Sequence, residues 1–433
     1  MARAKKEAAL TPEERLQAAL VPDWEWPYKL PGNWCWVKLV ESFDNHTDSK
    51  KKIKQKDYLV KGRLAVVDQG QELIGGYTND VEKSFSGTLP VVIFGDHTRC
   101  IKFVDFPFAQ GADGVKVLRP KPFYLPKAFY YALQSVNIPN LGYRRHFPLF
   151  NKFSIPLPPF AEQQRIVDRI ESLFAKLDEA KEKAQAVVDS FETRKAAILH
   201  KAFTGELTAK WREEHGVGME SWEVRTLDSV CSSIFDGDHM PPPKAESGIP
   251  FLVISNVNTG HLTFENTRFV PQEYYDTLSD TRKPQLGDVL YTLVGSFGIP
   301  VVVNSKRPFC FQRHMALLRP IDVSPQFLWY ILQTPEMYDK ASSIATGTAQ
   351  LTVPIKGLRA MTIPRPKIAE QVEIVRILDG FFAREQSAKE AAEIVLDQIE
   401  LMKKSIFARA FRGELGTNDP SEESAVELLK QIF

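Results

Sequence analysis

Basic and hydrogen-bonding side chains gather in a few short stretches of this chain. Lys50, Lys51, Lys52, Lys54 and Lys56 sit almost side by side, followed by Arg63 and by Gly76-Tyr77. Gly95-Asp96-His97-Thr98-Arg99 and Arg144-Arg145-His146 come next. Farther along are Ser296-Phe297-Gly298, Gln312-Arg313-His314 and Gly347-Thr348-Ala349-Gln350. These residue types suit nucleic-acid recognition. Lysine and arginine at phosphates supply affinity, and Arg, His and amides at base edges supply sequence choice. By composition alone the lysine run is a solvated loop. Gly95–Arg99 is more telling, because a polar turn between two apolar strands holds its donors at a rigid edge.

No catalytic frame stands beside these stretches. The chain lacks the G-x-x-x-x-G-K-[ST] phosphate loop, and its eight histidines show no metal-ligand spacing. Leu157-Pro158-Pro159-Phe160 looks superficially like the amine-gripping loop of adenine methyltransferases. Leucine stands there where an amide or carboxylate is required, and the second copy of the segment reads Arg-Pro-Lys.

That second copy governs the organisation. Residues 155–208 return at 363–416 without a gap, and 24 of 54 paired positions are identical. Ile155-Pro156 through Val167 returns as Ile363-Pro364 through Val375, and Phe203-x-Gly205-Glu206-Leu207 as Phe411-x-Gly413-Glu414-Leu415. Each copy leaves a strand through prolines and enters a helix, the expected place for proline. Apolar residues then step by four and three: Ile166, Ile170, Leu173, Leu177, Ala180, Ala184, Val187, Phe191, Ile198, with Arg194 the one polar interruption. The other copy gives Ile374, Leu378, Phe381, Ala388, Ala392, Val395, Ile399, Met402, Ile406, with Glu385 in the corresponding role. This is a heptad seam, ending at Gly205 and Gly413 as left-handed caps. Each rod spans about 43 residues, about 65 Å, and matched seams favour antiparallel pairing about a pseudo-twofold axis. Outward charges on the rods include Arg165, Arg169, Lys176, Glu179, Arg376 and Arg384. They serve either solvation or partner docking.

Between the copies the chain is rich in short β-prone runs. Leu64–Val67, Leu89–Phe94, Ile101–Phe106 and Val115–Leu118 precede one short helix, Lys127–Ser135. Phe251–Ile254, Val289–Val294, Pro300–Val303 and Ala316–Arg319 precede another, Gln326–Thr334. Both inserts open alike, Trp36-Val37-x-Leu39 against Trp222-x-Val224-x-x-Leu227, so one fold with two diverged surfaces is expected. The segments are an N-terminal helical piece 1–30, a β-rich insert 31–155, a spacer helix 156–208 and a linker 209–219. A second insert 220–362, a second spacer helix 363–416 and a C-terminal helical piece 417–433 follow. The two amphipathic end pieces are expected to pack near one another or on a partner.

Bulk properties narrow the class. With 433 residues the chain exceeds a single core. Net charge is +1, but residues 21–155 hold 19 Lys+Arg against 13 Asp+Glu, and residues 217–362 hold 12 against 14. Only the first insert has a basic footprint. Four distant cysteines without a C-x-x-C pair argue against a disulfide framework or metal knuckle. No signal peptide or apolar span is apparent, which points to a cytoplasmic protein without membrane contact.

Taken together, the duplicated I-P-x-P…A-E-Q…F-x-G-E-L frame, Lys61-Gly62-Arg63-Leu64-Ala65-Val66-Val67-Asp68-Gln69-Gly70, Phe94–Arg99 and Gly111-Ala112-Asp113-Gly114-x-Lys116-x-Leu118 carry a resemblance. The chain resembles the specificity subunits of type I restriction-modification systems. The resemblance implies an α+β architecture: two β-rich α/β target-recognition domains with pseudo-twofold symmetry, separated by two long helices forming an antiparallel coiled coil. It implies that each domain reads half of a split site in double-stranded DNA while the helices set the gap. It implies docking of two methyltransferase subunits and, through them, restriction and translocase subunits. S-adenosylmethionine, ATP and Mg would belong to those partners, with no cofactor and no active site in this chain. A rival from another class is a coiled-coil scaffold with two peptide- or protein-binding modules.

Overall fold

The computed structural model describes residues 11–237 and 242–432. Residues 1–10 of the expected N-terminal piece, and Phe433 of the C-terminal one, lie outside them. The chain divides into two compact units. One runs to Ala184 and resumes at Ile394, and the other is Gln185–Glu393. The division therefore falls inside the long helices rather than at their ends.

The first unit holds β1 (Cys35–Lys38), β2 (Phe43–Asn45), β3 (Leu64–Val67), β4 (Gly76–Thr78), β5 (Val91–Gly95), β6 (Ile101–Val104), β7 (Phe108–Gln110), β8 (Val115–Pro120) and β9 (Ser154–Leu157). They form a β1-β9 ladder, a four-stranded sheet β2-β8-β5-β6 and a three-stranded sheet β4-β3-β7. The second unit holds β10 (Glu223–Thr226), β11 (Cys231–Asp236), β12 (Ile249–Leu252), β13 (Arg268–Val270), β14 (Val289–Thr292), β15 (Pro300–Val302), β16 (Cys310–Phe311), β17 (Met315–Pro320) and β18 (Thr362–Arg365). Its sheets are β10-β18, β11-β17-β14-β15 and β13-β12-β16. The plan is identical strand for strand, including a parallel pair in each small sheet: β3 with β7, and β12 with β16. Two sequences with little visible similarity thus build one fold, because the buried alternation and turn positions are kept.

The ladders also correct the register expected for the insert starts. Lys38 pairs with Ser154, and Thr226 with Thr362, its repeat equivalent. Trp222 therefore corresponds to Trp34, not Trp36. Both indoles donate across the repeat frame: Trp34 Nε1 to Asn418 Oδ1 at 3.0 Å, and Trp222 Nε1 to Glu370 Oε2 at 2.9 Å.

The second long helix, Ile368–Ala410, is continuous over 43 residues. The first is not. It divides into Phe160–Asp189 and Phe191–Phe203 at Ser190. Ser190 Oγ donates to the Ala186 carbonyl and accepts from Arg194, the kind of side-chain competition that bends helices. The backbone ladder nonetheless passes through, with Ser190 N to Ala186 O at 3.1 Å and Arg194 N to Ser190 O at 3.0 Å. Gly205 and Gly413 end the helices at φ 85° and 74°. At Gly413 the bonds Glu414 N to Arg409 O and Gly413 N to Ala410 O complete a Schellman motif.

Helix pairing is antiparallel within each unit. In the first, Asp178 meets Lys403 at 2.6 Å, Lys181 meets Glu400 at 3.4 Å, and Phe174 packs edge-on to Phe407. In the second, Arg194 meets Glu385 and Lys389 lies over the Phe191 ring. Ile166, Ile170, Ala184, Ile374, Leu378, Ala392 and Ile399 are buried as the seam requires, whereas Val395 and Met402 are exposed.

The A-E-Q triplets wire the helices to the globules. Gln163 Oε1 accepts from Leu125 N at 2.7 Å, and Gln371 Oε1 from Ser324 N at 2.8 Å. Leu125 and Ser324 cap the two short helices, Pro126–Ser135 and Pro325–Ile331. The second helix is shorter than expected because Thr334 caps the next one, Pro335–Ile344. Buried Glu162 accepts from Thr417 Oγ1 at 2.6 Å, and buried Glu370 from Thr208 Oγ1 and Arg212 Nη1, both at 2.7 Å. Each copy's start is thereby clasped to residues just past the other copy's end. The chain ends meet in the first unit, where Ala19 shares a core with Ala425 and Leu429.

Candidate nucleic-acid interface

Three loops meet at one end of the large sheet in each unit, held by equivalent backbone bonds. In the first unit Asp96 N donates to Gly114 O at 2.7 Å, and His146 N to Asp96 O at 2.8 Å. In the second, Leu293 N donates to His314 O at 2.8 Å, and Val353 N to Leu293 O at 2.9 Å. The β5–β6 turn, the loop before β8 and the loop after the short helix are thus joined as their counterparts are. The scaffold is shared, and the side chains it presents are not.

At the first junction the structure unites His97, Thr98, Arg99, Arg144 and Arg145, but it spends some of their donors internally. Thr98 Oγ1 donates to Gln69 O at 2.6 Å, and Arg99 Nη1 to Ile138 O at 2.9 Å, with Arg99 at φ 62°. Both side chains hold neighbouring loops, so the outward-pointing turn expected from sequence is in part a structural knot. His97 Nδ1 lies 3.2 Å from Tyr143 O, and its ring stacks on Tyr143 at 4.8 Å. Arg144 and Arg145 are exposed. Buried Asp96 accepts from Phe147 N at 2.7 Å and faces Lys116 at 3.9 Å.

The lysine run lies elsewhere in the unit, against the small sheet. Lys51 Nζ donates to Ser84 O at 3.2 Å, and Lys83 Nζ to Lys50 O at 2.8 Å. Lys52, Lys54, Lys56 and Lys83 line an open cleft of about 400 Å³ shared with Asp57 and Asp80. Tyr77 on β4 pairs with Ala65, and the backbone N of exposed Arg63 donates to Asn79 Oδ1 at 3.2 Å. A Cβ on Gly76 would stand 2.8 Å from Tyr58, so glycine lets the strands close there.

At the second junction Ser296, Thr348 and Gln350 are exposed, as is Arg313, and His314 is half-buried. Phe297 is not available: it is 7% exposed and stacks flat on Tyr338 at 5.4 Å. Its apolar ring completes the core under the loop. Burial, then the Arg313 charge, lowers the His314 pKa.

Of the expected docking charges, Arg165 is committed elsewhere. It meets Glu162 at 2.8 Å and Glu422 at 2.7 Å, and donates to Thr417 O at 2.9 Å. Glu179 pairs with Lys183, Arg376 with Glu373, and Arg384 donates to Gly380 O. Arg169 and Lys176 are exposed. Among the described residues no cluster of His, Cys, Asp or Glu is suited to a metal, and no helix is long and apolar enough to cross a membrane. Cys35, Cys100 and Cys231 are free thiols.

Residues 219–395 match the family model of the type I restriction modification DNA specificity domain. The EcoKI specificity subunit of Escherichia coli K12 is 27% identical over 305 residues, covering 65% of this chain and 64% of that protein. The EcoBI specificity subunit of Escherichia coli is 25% identical over 426 residues, 90% of this chain and 87% of that one. The HsdS subunit from Thermoanaerobacter tengcongensis shares the fold at TM-score 0.58 and 21% identity, covering 90% of this chain and 99% of that one. A chain from a structure of type I R-M complex assembly gives TM-score 0.62, also at 21% identity, with 90% and 100% covered. Residues 219–395 thus carry a type I restriction modification DNA specificity domain, and over most of its length the chain is similar to type I restriction enzyme specificity subunits.

Proposed function

We propose that each unit reads one block of a bipartite site in double-stranded DNA, through the three-loop junction at the end of its large sheet. One observation carries this reading. The same backbone junction, Asp96–Gly114–His146 against Leu293–His314–Val353, presents different side chains in the two units. A reader of two unlike sequence blocks needs a common mount with exchangeable tips. The lysine cleft supplies phosphate affinity to the first unit, and the second relies on local geometry. The paired helices set the number of unread base pairs between blocks. Their exposed charges, Arg169, Lys176, Arg376 and Arg384, are the docking points for two modification subunits. Those subunits bring S-adenosylmethionine, and restriction subunits using ATP and Mg join them, in the cytoplasm.

Selection by the full chain from a randomised duplex pool tests this. Two specified blocks with a fixed gap are expected, with affinity falling steeply with salt. Salt-insensitive capture of a protein ligand with no enriched DNA sequence supports the scaffold reading instead.

A further inference from the structure

The first junction carries an aromatic side chain that packing does not explain. Tyr143 is 86% exposed, at the tip of the loop between Ile138 and His146. An exposed ring contributes nothing to the core, yet the loop beneath it is heavily fastened. Arg99 Nη1 holds Ile138 O, and Gly142 N donates to Asn140 Oδ1 at 3.0 Å. Buried His146 accepts from Leu141 N through Nε2 at 3.1 Å, so Nδ1 carries the proton it donates to Asp96 O at 2.9 Å. Gly142 adopts φ 68°, which turns the chain sharply just before the tyrosine. The His97 ring backs one face of Tyr143 with the planes 16° apart. Exposed Arg144 and Arg145 follow directly.

A rigid aromatic tip with two arginines beside it matches the chemistry of a groove contact, with the apolar ring against base edges and the guanidinium groups on the flanking phosphates. Holding the ring in place before binding avoids ordering it afterwards. The corresponding loop of the second unit has Thr348 and Gln350 and no aromatic residue, so the feature belongs to one reader only.

We infer that Tyr143 is a sequence-determining residue of the first unit, its ring packing on base edges in a groove of the bound duplex while Arg144 and Arg145 hold the adjoining phosphates. This rests on the DNA-reading role proposed above. His146 is its positioning residue. The test is selection from a randomised duplex pool by the full chain and by its Tyr143→Ala, Tyr143→Phe and Arg144→Ala/Arg145→Ala variants. Tyr143→Ala is expected to bind the wild-type duplex roughly tenfold more weakly and to lose preference at neighbouring positions of one block only. Tyr143→Phe should keep both, since the ring remains. The double arginine variant should lose affinity evenly across sequences and bind with a flatter salt dependence. Tyr143→Ala enriching the same motif with unchanged affinity overturns the assignment while leaving the DNA-reading role intact. A wild-type chain that enriches no motif overturns both.

Discussion

Arg194 and Glu385, the one polar residue in each helical seam, are bonded to each other. Arg194 Nε and Nη2 lie 2.8 and 2.7 Å from Glu385 Oε2. The pair is half-buried, and it is a registry device: only one alignment of the two helices lets each charge find its counterpart. Replacing Glu385 with Leu takes the carboxylate from the guanidinium, which keeps only Ser190 Oγ and the Val187 carbonyl, and should cost about 1–3 kcal/mol. Replacing both with Leu should recover most of that loss. Chemical denaturation of the two variants checks the difference. Equal destabilisation by the single and double changes contradicts a pairing role.

The buried glutamates of the A-E-Q triplets make a second prediction. Glu370 is 1% exposed and receives Thr208, Arg212 and Trp222. Glu370→Ala removes the acceptor shared by buried Thr208, buried Arg212 and half-buried Trp222 and leaves the Arg212 charge without its carboxylate, and should cost about 3 kcal/mol or more. Amide exchange should rise first around residues 205–223, the segment that this carboxylate clasps. A stability within a few tenths of a kcal/mol of wild type would contradict the clasp.

Much of this was legible in the sequence. Leu64–Val67 is β3 residue for residue, the other apolar runs became strands within a few residues, and the duplicated frame announced paired helices. The losses have a common cause. Thr98 bonds a carbonyl 29 residues earlier, Arg99 one 39 residues later, and Arg165 a carboxylate 257 residues away. No local pattern tells a polar side chain free for a ligand from one that closes a distant loop. Phe297 was misplaced for the converse reason, since the Tyr338 ring that covers it is 41 residues on. The helix break at Ser190 likewise goes with side-chain bonds, to the Ala186 carbonyl and from Arg194, that the heptad pattern does not encode. In the sequence Tyr143 is one ring between a glycine and two arginines; the bonds that fasten its loop, from Arg99, Leu141 and Gly142, are visible only in the fold.

The lysine cleft and the junction should separate in binding. Lys54 and Lys56 are exposed and line the cleft. Changing either to Ala should weaken all duplexes alike and lower the salt slope by about 1. Lys51 is held by the Ser84 carbonyl and should matter less. Salt titrations on matched and mismatched duplexes distinguish these outcomes.

The pH dependence at the second junction follows from His314. Burial and Arg313 lower its pKa below the usual value of 6.5. The unfolded chain therefore takes up this proton more readily. The stability His314 contributes is complete above about pH 6.5 and is lost as pH falls towards the folded value. NMR titration of the folded chain should show a His314 midpoint below 6.5. A titration above 6.5 would contradict the burial argument.

Helix length offers a geometric prediction. Adding two heptads to both helices should widen the unread gap while leaving each specified block unchanged, because DNA rises about 3.4 Å per base pair along the rods. Methylome sequencing of cells carrying the variant with modification subunits reads the gap directly, and an unaltered gap contradicts the spacing role.

The most direct measurement compares the motifs selected from randomised duplexes by wild type, His97→Ala and Thr348→Ala/Gln350→Ala. Each change is expected to relax one block, a different block for each, by about 1–3 kcal/mol per lost base contact, with the other block and the gap preserved. Motifs that stay intact in both variants, or that relax in both blocks at once, would contradict two independent readers on a common mount.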